Sequence, residues 1–211
     1  MAFRHSARAV LGCGFAVSLS IAAATAAGTE REAAQAPLAV DSSHISIAGT
    51  SNIHAYTAST SVVRVTRVQL AKGVAGPNLW EAIVTPGALE AFEIAIPAAS
   101  LSSPKDGLDK NMHKALKVKE HADITFRLQR LETVAPGAVK AIGVLRIAGV
   151  EREVTLDIKT ERKDAALVVK GDVRLLMTDF GITPPKALLG MLKTDPKVTV
   201  SFETVLAVPL T

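Results

Sequence analysis

Apolar residues on every second position, in short runs broken by glycine and proline, dominate this chain from Ile45 to Phe202. Side chains of a strand alternate between two faces, whereas those of a helix repeat every ~3.6 residues, so the pattern specifies strands with one buried face. The clearest run is Ile124–Gln129, where Ile124, Phe126 and Leu128 share a face and Thr125, Arg127 and Gln129 take the other. Leu145 and Ile147 repeat the logic, as do Val154, Leu156 and Ile158 among charged neighbours, and the two-residue Ala148-Gly149 marks the turn between them. Leu167, Val169, Val173 and Leu175 continue the series, with Gly171 read as a bulge, and Val198, Val200 and Phe202 form a last strand. With earlier runs at Ile45–Ile53, Tyr56–Leu70 and Leu89–Ile96, the last holding Phe92 and Ile94, the count reaches about eight. That number closes an antiparallel sheet into a small β-barrel and removes its exposed edges.

Helical periodicity is confined to two places. Asp109–Leu116 aligns Met112, Ala115 and Leu116, and Pro184–Leu192 can open a helix on its paired prolines. Both read as lids on a barrel end. The fold class is therefore all-β, an eight-stranded antiparallel barrel with one or two short helices.

The first residues have the form of an export signal. Arg4 and Arg8 precede an apolar stretch, Ala9–Ala24, and Ala24-Thr25-Ala26 supplies the small residues of a cleavage site, which makes 1–26 a signal peptide and the periplasm the expected location. That stretch is shorter than the ~20 residues of a membrane-spanning helix, so no stable membrane anchor is expected. Cys13, the only cysteine, falls in the leader, which leaves the mature chain without a disulfide or thiolate site. Residues 27–37 lack apolar periodicity and end in Pro37; they read as a flexible tether ahead of a single domain spanning 38–211. The chain has 24 Lys and Arg against 20 acids, and the leader holds two of those Arg and no acid, so the mature balance is 22 to 20. Scattered basic residues with one Trp and one Tyr give neither the basic stripe nor the stacking aromatics that nucleic acid requires.

Little in the chain points to chemistry. His44, His54, His113 and His121 lack the spacing that sets two imidazoles on one helical face, and no carboxylate cluster completes a ligand set, so no metal is expected and the four roles stay unassigned. Ser102-Ser103-Pro104-Lys105 matches Ser-x-x-Lys, but that nucleophile needs a helical turn and the segment reads as a loop. Asp179-Phe180-Gly181 lacks the other parts of a kinase and reads as a turn with an aromatic plug. Hydrolase elbows, phosphate-cradling loops and zinc-protease helices are missing, so the chain reads as a non-enzyme without a cofactor.

Four signatures occur in order: Ala48–His54; Asn111–Lys117 ahead of Ile124-Thr125-Phe126; Gly143–Val150 followed by Val154-Thr155-Leu156; and Met177–Ile182 before the last strand. Together they resemble the YceI-like family over nearly the whole of Leu38–Thr211. The resemblance implies an extended lipocalin-like barrel, often periplasmic, that holds a polyisoprenoid such as a quinone-type lipid. The apolar lining it would use is Phe92, Ile94, Phe126, Leu128, Leu145, Ile147, Leu156, Ile158, Val173, Leu175 and Phe202, with Met112 and Leu116 as a lid. An isoprenoid-type lipid is then the expected partner, held as carrier, store or sensor, and a homodimer is left open. The alternative is a barrel filled by its own side chains, serving as a structural or partner-binding module.

Overall fold

The computed structural model describes residues 37–104, 106–187 and 191–209; the expected signal peptide, 1–26, and all of the expected tether but Pro37 lie outside them. The strands are β1 (Ala39–Ser51), β2 (Ala55–Thr60), β3 (Arg64–Leu70), β4 (Leu89–Pro97), β5 (Asp123–Ala135), β6 (Ala138–Ile147), β7 (Val150–Lys163), β8 (Ala166–Leu176), β9 (Lys186–Ala187) and β10 (Leu192–Ala207). Helix α1 (Leu79–Ile83) follows β3, and α2 (Asp106–Ala115) follows β4.

Nine strands form one antiparallel path in the order β2-β1-β10-β8-β7-β6-β5-β4-β3, and β9 pairs only with β10. The ends of that path, β2 and β3, are joined by just Ser61–Val63. Four Cα steps reach about 15 Å at most, so the sheet has to roll until its two ends meet. Leu38 and Val40 from the β1 end share an apolar cluster with Val65, Val68 and Leu70 of β3.

The count of nine differs from the eight read in the sequence because Tyr56–Leu70 is two strands. The Thr60 hydroxyl accepts from Val62 N at 3.0 Å and meets Ser100 Oγ at 2.7 Å, diverting the backbone from the ladder. One apolar run thus serves both ends of the sheet. Ser59 and Ser102 then exchange backbone hydrogen bonds of 2.8 and 2.9 Å, so the edge of β2 is covered.

The Ala148-Gly149 turn is as the sequence specifies: both residues have positive φ, +50° and +84°, and Ile147 pairs with Val150. Two local expectations are corrected. Gly171 is no bulge; it pairs in unbroken register with Ile158 and Phe202, and a Cβ there would lie 2.6 Å from the Phe202 ring. The glycine makes room for an aromatic ring across the strands. Pro184–Leu192 is no helix in its described part: Pro184 and Pro185 are irregular, and Lys186 and Ala187 pair with Lys193 and Leu192. Backbone pairing to β10 prevails there over the helix-opening tendency of the prolines. In turn, α1 had no signal in the alternation. Its Leu79, Trp80 and Ile83 are buried, and Trp80 Nε1 donates to Ala165 O at 3.1 Å.

The core is divided. One cluster gathers Leu38, Leu79, Trp80, Ile83, Leu167 and Leu206 around α1; the other gathers Ala98, Leu101, Leu116, Ile124, Ala148, Phe180 and Ile182, with Met112 of α2 packed against it. Among the described residues no helix is long and apolar enough to cross a membrane.

Candidate functional site

Strand register decides which side chains share the concave face. Val65 pairs with Ile94, Ile94 with Phe126, and Phe126 with Leu145; Ala141 pairs with Leu156, Ile158 with Gly171, and Gly171 with Phe202. Val173 and Leu175 oppose Val200 and Val198, which in turn oppose Ile47 and Gly49. Stepping two residues at a time along each strand brings all eleven expected lining residues to this one face. The face is not uniformly filled. Phe126 is 8% exposed, whereas Ile94, Leu128, Leu156, Ile158, Val173 and Phe202 are only half-buried and belong to neither end cluster. Glycines shape its middle: a Cβ on Gly143 would come 2.7 Å from the Phe126 ring, as one on Gly171 would meet Phe202.

At the α2 end this face opens into a cavity of about 580 Å³. Ile47 and Ala58 form one wall, Ile124 and Ile147 another, and Leu175, Val198 and Val200 a third; Met112 and Ala115 of α2, Leu116 just beyond it, and Met177, Phe180 and Ile182 complete the lining. Helix α2 is anchored there by polar bonds. His113 Nε2 lies 2.8 Å from Leu101 O, and Asp109 Oδ1 accepts from Ser103 N at 2.7 Å.

Of the expected residues, Ile147, Leu175, Met112 and Leu116 line this cavity. Phe92 lies at the opposite end against the α1 cluster, and Leu145 packs on the α2 cluster from the side. The remaining seven sit farther along the concave face, outside the cavity lining. Ile47, Val198 and Val200 escaped the lining expectation although their alternation was visible, because which strand ends meet depends on register. Met177, Phe180 and Ile182 come from a tight turn closed by Gly181 at φ +65°, a contribution that two-residue periodicity does not signal.

Tyr56 also escaped. It sits opposite Gly49, on the inner face with Ala58 and Thr60, and its ring occupies the space a Cβ on Gly49 would need. A second, more open depression of about 700 Å³ on the convex side, bordered by Thr50, Thr57, Arg174, Asp195 and Lys197, shares Tyr56 with the cavity. Ala55, Thr57, Leu175, Leu176 and Val198 are shared as well, and Tyr56 is one member of the wall between the two. Burial raises its phenol above the ordinary tyrosine pKa, and the negative charge of Asp195 adds to the effect.

The histidines are separate. His44 is exposed on the convex side of β1, His54 borders the cavity mouth, His113 holds Leu101, and the His121 ring packs over Gly149. Among the described residues no group of three or more His, Cys, Asp or Glu is placed to hold a metal. Ser102 lies in an extended bridge and not in a helical turn, and Lys105 of the Ser-x-x-Lys match lies outside the described residues.

The sequence model of the YceI-like domain matches residues 38–206. No curated protein matches the chain in sequence. Among solved structures, BcnA of Burkholderia cenocepacia superposes with a TM-score of 0.61 at 13% identity, over 78% of this chain and 96% of its own. A domain of Saccharophagus degradans, described as polyisoprenoid-binding and implicated in plant cell wall breakdown, gives 0.60 at 12% identity, over 83% and 100%. A Campylobacter jejuni YCEI protein gives 0.56 at 15% identity, over 73% and 85%. At these identities the likeness concerns the fold.

Proposed function

We propose, from the premise that this chain belongs to the YceI-like family, that its barrel holds an isoprenoid-type lipid in the periplasm, as carrier, store or sensor, and acts as a binding protein rather than an enzyme. The observation that carries the reading is an apolar concave face left half-open between two end clusters, with a cavity of about 580 Å³ at one of them. A self-filled barrel would bury that face throughout. The polyisoprenoid-binding description of the Saccharophagus domain supports the choice of ligand class, and the leader pattern of residues 1–26 supports export.

Apolar transfer supplies the affinity. Each buried CH₂ contributes about 0.8 kcal/mol, so one five-carbon isoprene unit gives roughly 4 kcal/mol before ordering costs are subtracted. The half-buried aliphatics impose no directional demand, which suits a long flexible chain.

Organic extraction of the purified protein, followed by mass spectrometry, tests the reading. The expected result is an isoprenoid lipid in the extract, with less recovered from Leu175→Trp, which narrows the cavity in a protein that still folds. Wild-type protein free of lipid, and unable to take up a polyprenyl chain in solution, would return the barrel to a structural or partner-binding role.

A further inference from the structure

The cavity wall contains a polar group that the fold leaves unused. Ser51 Oγ donates to His54 O and accepts from His54 N, and Thr60 is tied to Ser100, so these neighbours are satisfied internally. Tyr56 Oη is different. Among the described residues it is the buried side-chain polar atom without a hydrogen-bond partner. Native folds rarely leave such a group unpaired unless something outside the chain completes it.

Its surroundings define what that would be. The ring is seated on Gly49, which fixes the phenol in the wall of a cavity whose lining is mostly apolar, with Ser51, His54, Ser103, Asn111 and Thr194 among its other polar members. Burial and the Asp195 charge both favour the protonated phenol, so the group is an O–H donor at neutral pH. The same negative charge works against an anionic partner and leaves an uncharged acceptor oxygen as the complement.

We propose that Tyr56 is the head-group contact of the barrel, donating a hydrogen bond to an uncharged oxygen, such as a carbonyl, carried by an otherwise apolar ligand. The assignment rests on the lipid-binding reading and adds selectivity to it: chain burial supplies affinity for any long hydrocarbon, and the phenol chooses among heads. A site built to hydrogen-bond a ligand discriminates against one lacking that group more sharply than an apolar pocket discriminates by size.

Decylbenzoquinone and decylbenzene share a chain and a six-membered ring and differ in carbonyl oxygens; decyl phosphate supplies an anionic head. Affinities of all three are measured for the wild type and for Tyr56→Phe, which keeps the ring on Gly49. The wild type is expected to prefer decylbenzoquinone to decylbenzene by about tenfold, the worth of one hydrogen bond, and to show no preference for decyl phosphate. Tyr56→Phe should bind the quinone and the hydrocarbon equally, with its decylbenzene affinity unchanged. Its ligand-free melting temperature should equal or exceed that of the wild type, because an unpaired hydroxyl is removed. A retained quinone preference in Tyr56→Phe, a lowered ligand-free melting temperature, or a wild-type preference for decyl phosphate would overturn the assignment. Equal binding of decylbenzoquinone and decylbenzene by both proteins would overturn it while leaving lipid binding intact. Binding of none of the probes by the wild type would remove the lipid-binding reading and this one with it.

Discussion

Substituting Gly171 by alanine probes the middle of the concave face. The added Cβ would lie 2.6 Å from Phe202 Cζ and 2.6 Å from the carbonyl oxygen of Asp157, well inside the 3.4–4 Å of ordinary contact. The ring can swing away, but the carbonyl belongs to the β7–β8 ladder and gives little. Overpacking of this kind costs about 1–3 kcal/mol. Opposing it, replacing glycine by alanine in extended backbone recovers roughly 0.4–1 kcal/mol through the unfolded chain. The clash prevails. For a domain of this size the net loss corresponds to a melting temperature lower by roughly 2–8 °C. Phe202→Leu shortens the side chain over the glycine, so Gly171→Ala made in that background should cost less, by about 0.5 kcal/mol or more, with the carbonyl share remaining. Thermal unfolding of the four proteins in the cycle measures this. An unchanged melting temperature for Gly171→Ala, or an equal cost in both backgrounds, would refute the seating of the ring on the glycine.

Sequencing of the exported protein should find its first residue at or next to Ala27, and recovery from the periplasm with Met1 intact would remove the signal-peptide reading. Phe126→Asp should cost several kcal/mol, because it places an unpaired carboxylate at a position 8% exposed, whereas the exposed Arg127→Ser should change stability by less than about 0.5 kcal/mol; equal effects on chemical denaturation would break the face assignment of β5. Tyr56 is the only tyrosine, so the ultraviolet titration of the folded protein reports it alone and should show phenolate appearing above the ordinary value of 10.0. A raised folded pKa means that the contribution to stability is complete below about 10 and is lost as pH rises through the folded value. Asp195→Asn should return only part of the shift, since burial is its larger cause.

Two-residue alternation in the sequence carries side-chain direction, and direction was legible throughout. Once Phe126 and Leu145 are set on one face of their strands, antiparallel pairing brings them opposite each other, and Leu156 takes the same face opposite Ala141. Alternation carries no information on where one strand becomes two. The division of Tyr56–Leu70 rests on a hydroxyl of Thr60 competing for a backbone N–H, and the described part of the expected Pro184–Leu192 helix gave way to the pairing of Lys186 and Ala187 with β10, both outcomes of tertiary partners. Helix α1 was missed for a related reason. Five residues are too few to show a period, and what holds them is Trp80 reaching Ala165 and a cluster assembled from distant strands.

The cavity was the least legible feature because it depends on volume, to which an alternating pattern is indifferent. Val, Leu and Ile at inward positions fill a barrel or leave it open according to how far its walls stand apart, and register together with the glycines sets that distance. Gly143 and Gly171 let Phe126 and Phe202 lie flat along the sheet, so the bulkiest inward side chains hug the wall and project less toward the centre. An alanine at either site would push a ring into the interior. Glycine beneath an aromatic ring on the inner face, directly opposite it at Gly171 with Phe202 and at Gly49 with Tyr56 and diagonal to it at Gly143 with Phe126, is therefore the local signal in this chain that its barrel is arranged to stay open.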